Sequence, residues 1–145
     1  MRILGMFCLL VVIPAAVMAQ KQGIRGQVFW LSGNQMPGPP RNPTLALQQG
    51  IVREVHVYHV ASPADVVVEN NYYREVRTGL VARAVSGPDG YFKIKLPPGE
   101  YSVFTVEPKG LFANMFDAGN RINPVVVKPG KYTWMTITVD YEAAY

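Results

Sequence analysis

The two histidines of the chain, His56 and His59, lie three residues apart in the run IVREVHVYHV at 51–60, and a pair of imidazoles is the natural start of a metal centre or an acid–base site. The run reads as a β-strand, in which alternate residues face opposite sides. An odd separation therefore sends the two rings apart, and one metal could take both only across a bulge. Other chemistry fails on inventory. The single cysteine, Cys8, sits in an apolar N-terminal run, and no Gly-x-Ser-x-Gly elbow occurs, so neither a thiol nor a serine nucleophile is supplied. Asp89 and Asp117 lack the alternating oxygen ligands of a calcium loop.

What remains is aromatic. Trp30, Tyr72, Tyr73, Phe112, Phe116 and Trp134 include several that strand parity or loop position turns outward, and aromatics carried on a rigid scaffold are a common means of gripping sugars or proteins. Trp30, Phe112, Asn114 and Phe116 are the binding residues expected, with no catalytic residue, metal or cofactor. The loops Gly33–Gly50 and Lys109–Asn120, long for connections in a compact domain, are where a ligand is expected to meet them. The competing expectation is that Phe112 and Phe116 plug an end of the fold and Trp30 packs at an edge. With 49% apolar residues, most large side chains are needed for the core.

The elements that must position these residues are strands. The sharpest signals lie in Ser86–Pro108. Gly87-Pro88-Asp89-Gly90 has the residue order of a type I turn. From Tyr91 to Leu96, Phe92, Ile94 and Leu96 share one face and Tyr91, Lys93 and Lys95 the other. Leu96-Pro97-Pro98-Gly99-Glu100 places Pro-Gly at a type II turn, and Tyr101–Val106 resumes the extended run. This stretch reads as strand, turn, strand, entered from a strand over Leu80–Ser86. Further strands are expected over Ile24–Leu31, with Gly26 marking a bulge or a close backbone approach, over Ile51–Val60, over Ile122–Val127 and over Tyr132–Tyr141, where Met135, Ile137 and Val139 point inward and Trp134, Thr136 and Thr138 outward. Ala61–Gly79 reads as a long crossing excursion with room for a short strand, Ser62-Pro63 being suited to start a helix and Val66–Val68 opposed to one. Seven or so short strands and no amphipathic helix define an all-β, antiparallel β-sandwich.

Residues 1–19 read as a secretory signal peptide: Arg2, an apolar Ile3–Ile13, and the small-residue run Ala16-Val17-Met18-Ala19, with cleavage expected after Ala19. Cys8 leaves with it. Residues 20–145 then form one domain of 126 residues with 13 basic and 10 acidic side chains, a formal charge of +3. The product is expected to be secreted or periplasmic, with no stable membrane span after cleavage. Its basic residues are scattered along strands rather than clustered, so nucleic acid is not the expected partner.

Gly26-Gln27-Val28, Val55-His56-Val57, Gly90-Tyr91-Phe92 and above all Leu96-Pro97-Pro98-Gly99-Glu100-Tyr101-Ser102-Val103 resemble the carboxypeptidase regulatory-like domains, which share the transthyretin-like (prealbumin-like) Greek-key sandwich. Gly33-Asn34, Met36-Pro37-Gly38 and Phe112-Ala113-Asn114 are similar to a single-domain secreted bacterial subgroup. The resemblance covers most of residues 23–140 and departs at Ala61–Gly79. It implies a non-catalytic accessory module; the partner expected from the loop aromatics is an envelope glycan or protein. Enzymes on that fold need residues missing here: hydroxyisourate hydrolases end in Tyr-Arg-Gly-Ser where this chain has Tyr141-Glu142-Ala143-Ala144-Tyr145, and intradiol dioxygenases use H-x-H where this chain has H-x-x-H. The rival expectations are assembly through an exposed edge strand and a hydrolase site of unfamiliar form.

Overall fold

A computed structural model of the chain describes residues 21–34 and 49–144. The expected signal peptide with its cleavage point, and most of the loop Gly33–Gly50, lie outside the described residues. Within them the protein is all-β, as its alternating patterns predict.

All seven expected segments are strands, and four short ones join them. The chain order is β1 (Gly23–Asn34), β2 (Gln49–Gly50), β3 (Glu54–His59), β4 (Val66–Glu69), β5 (Tyr72–Val76), β6 (Leu80–Val85), β7 (Tyr91–Lys95), β8 (Gly99–Glu107), β9 (Gly110–Phe112), β10 (Pro124–Val127) and β11 (Tyr132–Ala144). They form two sheets. In sheet A, β1 is flanked by β11 on one edge and by β7 and β2 on the other; sheet B runs β4-β5-β9-β8-β3-β6, with β10 also on β8. One pairing departs from the antiparallel expectation, because β1 and β11 run parallel, in register from Gly23↔Tyr132 to Trp30↔Val139. The reason is that the chain's last strand returns from sheet B and enters sheet A in the same direction as its first.

The two turns of the central stretch do not close a hairpin. Gly87–Gly90 is a turn, with the Gly90 amide donating to the Gly87 carbonyl at 2.8 Å, but it carries the chain from β6, paired with β3 in sheet B, to β7, paired with β1 in sheet A. The Leu96–Gly99 turn carries it back to β8. There the Tyr101 hydroxyl donates to the Pro97 carbonyl four residues upstream, at 2.6 Å, which is the bond that makes a tyrosine corner in antiparallel sandwiches. The local turn chemistry is as expected. Which strands meet is set by the burial of Phe92 and Ile94, which face sheet B across the core.

That core fills the space between the sheets: Ile24 and Val28 from β1, Val55 and Val57 from β3, Phe92 and Ile94 from β7, Val103 from β8, Val125 and Val127 from β10, Ile137 and Val139 from β11. Gly26 is inward-facing and bare because a Cβ there would sit 2.1 Å from the Met135 carbonyl and 3.0 Å from the Phe92 ring. It is the close approach that its place in the strand predicted. The bulge is elsewhere, between Trp30 and Ser32.

The Ala61–Gly79 excursion is more ordered than its sequence suggested. Ser62 begins a single 3-10 turn over Pro63–Asp65, its amide and hydroxyl both donating to Oδ2 of Asp65; the Ser62 amide is the main reason the Asp65 carboxyl titrates below its ordinary value. A tight hairpin follows, β4 turning into β5 through Asn70 and Asn71, both with positive φ. It delivers Tyr73 to a second apolar cluster with Phe104, Ile122, Ala61 and Ala113, on the face of β8 opposite the main core.

Candidate binding surface

Three of the four expected binding residues gather around Asp140 and Tyr141, and the fourth, Phe116, is bridged to Ile122 away from them. Trp30 is half-buried, edge-on to Tyr141 at 5.3 Å between centroids. Phe112 is buried, 6% exposed, and its ring meets Tyr141 at 5.3 Å and Tyr72 at 6.3 Å. Its aromatic faces are therefore occupied by the protein itself. Asn114 is exposed and donates through Nδ2 to Oδ1 of Asp140 at 2.8 Å. Phe116 stands apart from these three, 52% exposed beside the equally exposed Met115. Its loop is a built turn: Asp117 accepts from the amides of Gly119 and Arg121 and from Nε of Arg121, at 3.0, 2.8 and 2.6 Å. These bonds, the Arg121 amide first, hold the Asp117 carboxyl below its ordinary value.

Beneath Trp30 and Tyr141 lies a polar group that the sequence did not announce. The Glu107 carboxylate, whose side chain is fully buried, accepts from Nε of Arg53 at 3.0 and 3.1 Å and from the Tyr141 hydroxyl at 3.1 Å. Arg53 lies over the Trp30 ring, 5.6 Å from its centroid. Burial, with the Glu107 charge behind it, pushes the Tyr141 hydroxyl up from its ordinary value. The carboxylate's partners and the closed ring packing make this a keystone of the sandwich end.

The histidines do not meet either. Nε2 of His56 bonds Oε1 of Glu54 at 2.9 Å, and His59 stacks on Tyr101 at 6.1 Å. Among the described residues no three His, Cys, Asp or Glu side chains converge as metal ligands.

The outer face of sheet A gathers aromatic and basic side chains in the open. On β7 the outward residues are Tyr91, Lys93 and Lys95, on β1 Arg25 and Gln27, on β11 Trp134 and Thr136, all alternating with core residues. Register places Arg25 directly between Lys93 of β7 and Trp134 of β11. Trp134 and Tyr91, 49% and 51% exposed, reach over β1 until their rings meet at 5.9 Å with a tilt of 59°. With Arg25, Phe92 and Lys93 they line a shallow depression of about 370 Å³. Nζ of Lys93 lies 4.4 Å from the centre of the Tyr132 ring.

Among the described residues, no ion pair involves Arg25, Lys93 or Lys95. The ion pairs among the described residues lie elsewhere: Arg53 with Glu107, Arg74 with Glu69, Arg77 with Glu75, and Arg121 with Asp117 and Glu100. Asp140 is six residues from Trp134 along β11, roughly 20 Å at the rise of a strand. The outward parity of Tyr91, Lys93 and Trp134 was legible in the sequence. That β1 would sit between β7 and β11, and so gather them with Arg25, was not, because strand order carries no local signal.

The fold is thus an all-β sandwich with one exposed aromatic and basic sheet face. No protein-family model, curated protein or solved structure matches the chain. Among the described residues no helix is long and apolar enough to cross a membrane.

Proposed function

We propose that this chain is a non-catalytic binding module, secreted or periplasmic once residues 1–19 are removed, and that it takes a carbohydrate of the cell envelope on the outer face of sheet A. We assign it to the carboxypeptidase regulatory-like, transthyretin-like kind on the strength of the Leu96–Tyr101 corner. The observation that carries the functional reading is the Trp134–Tyr91 pair. Two large rings in contact, each half in water on a flat sheet, are an unusual use of side chains that the core would bury. A sugar ring offers C–H groups with partial positive charge, and the negative face of an aromatic ring attracts them.

Isothermal titration against envelope polysaccharide tests the reading. Trp134→Ala is expected to weaken binding roughly tenfold or more with only a small fall in melting temperature, since half the ring is already in water and its covered half meets Tyr91. Undiminished binding by the double variant Trp134→Ala, Tyr91→Ala sinks the assignment of the surface.

A further inference from the structure

We infer that the ligand of this face is an acidic glycan, one carrying carboxylate or sulfate groups at regular spacing; the inference rests on the carbohydrate-binding reading above. Arg25 and Lys93 are register partners on adjacent antiparallel strands, and Lys95 follows two residues along the same face. Like charges set directly opposite one another destabilise a sheet. A fold that keeps two such cations side by side, both exposed and neither in an ion pair among the described residues, retains a local conflict that the contact of Lys93 with the Tyr132 ring relieves only in part. Conflicts of that kind concentrate at functional sites, and an anion placed between the two side chains removes this one.

The aromatic pair selects among polyanions. Trp134 and Tyr91 form one tilted contact, whereas a single nucleic acid strand needs successive platforms along a groove. A membrane surface needs a broad apolar area to bury, and the neighbours of the pair on this face are Gln27, Thr136 and the cations. A glycan needs one stacking position for a sugar ring and cations beside it for that sugar's acid groups. Lys93 and Arg25 flank the depression that the rings line.

Polygalacturonate and its fully methyl-esterified form separate charge from sugar shape. Binding of the acid form is expected to exceed that of the ester about tenfold or more and to weaken steeply from about 50 to about 300 mM salt. The double variant Arg25→Gln, Lys93→Gln is expected to bind the acid form about as weakly as the wild type binds the ester, with a melting temperature no lower than the wild type's, because both side chains are exposed and the facing like charges are removed. Equal binding of acid and ester overturns the acidic preference and leaves the carbohydrate reading standing. Binding of neither overturns both. Tighter binding of a single-stranded oligonucleotide, or of vesicles rich in anionic lipid, than of polygalacturonate also overturns the inference.

Discussion

Phe112 and Phe116 are four residues apart and their environments are opposite. Phe112 is wedged among Tyr72, Tyr141 and the core, so Phe112→Ala creates a cavity and is expected to cost about 3–5 kcal/mol. Phe116 is half in water, and Phe116→Ala is expected to change stability by no more than about 0.5 kcal/mol. Urea denaturation of the two variants checks both values. Glu107 presents the harder case, since the sequence marks it only as a charge at the end of an apolar strand. Its burial follows from Arg53 and Tyr141 closing over it. Glu107→Ala leaves Arg53 without its anion and Tyr141 without its acceptor, and is expected to cost about 3 kcal/mol. Glu107→Gln keeps an acceptor for the tyrosine and is expected to cost less. A loss below about 1 kcal/mol for the alanine variant in the same denaturation would show that the ion pair is incidental to the end of the sandwich.

At the level of elements, alternation was the readable quantity. It located the seven main strands and predicted which residues of β7 and β11 face inward, because one buried face forces a period of two. A short strand is all that Ala61–Gly79 suggests by its pattern, yet the hairpin β4–β5 has a signal in VVVENNYYREV: two asparagines between β-branched and aromatic runs. Both sit at positive φ, 52° and 68°, in a two-residue loop closed by Glu69 opposite Tyr72, the conformation that type I′ hairpins require. Asn71→Gly removes the Cβ cost of that conformation and is expected to be neutral or stabilising. Asn71→Val forces a β-branched residue into it and is expected to cost about 1–2 kcal/mol. Equal stability of the two variants in thermal melts would mean that the turn is not what holds the hairpin. The partners of each strand were a different matter. Gly87–Gly90 has the residues of a hairpin turn, yet β6 and β7 belong to different sheets, and no local feature of the turn distinguishes a link within a sheet from one between sheets.

For the whole molecule, β8 is shared by both hydrophobic centres, as β5 is through Tyr72 and Tyr73. Val103 points into the main core and Phe104 into the second cluster, and Ser102 and Thr105 beside them are equally inaccessible. A strand buried on both faces reads as a near-continuous apolar run; YSVFTV is interrupted by Ser102, whose Oγ accepts from the Ala61 amide at 2.9 Å, and by Thr105. The second cluster is what the long excursion after β3 serves: Tyr73 from β5, Tyr58 from β3 and Ile122 from the loop before β10 all close on Phe104. Because Val103 and Phe104 are consecutive, neither cluster can open by moving β8 without disturbing the other. Unfolding is therefore expected to be a single transition, with tyrosine and tryptophan fluorescence, far-UV circular dichroism and the protection of the β5 amides all lost together. Phe104→Leu keeps an apolar side chain but gives up the edge-on contacts to Tyr58 and Tyr73. It is expected to lower the midpoint by an amount corresponding to about 1–3 kcal/mol while leaving the transition single. An early, separate loss of protection in β4 and β5, with the Val55, Val103 and Ile137 core still folded, would show that the second cluster is an independent unit and that β8 does not couple the two.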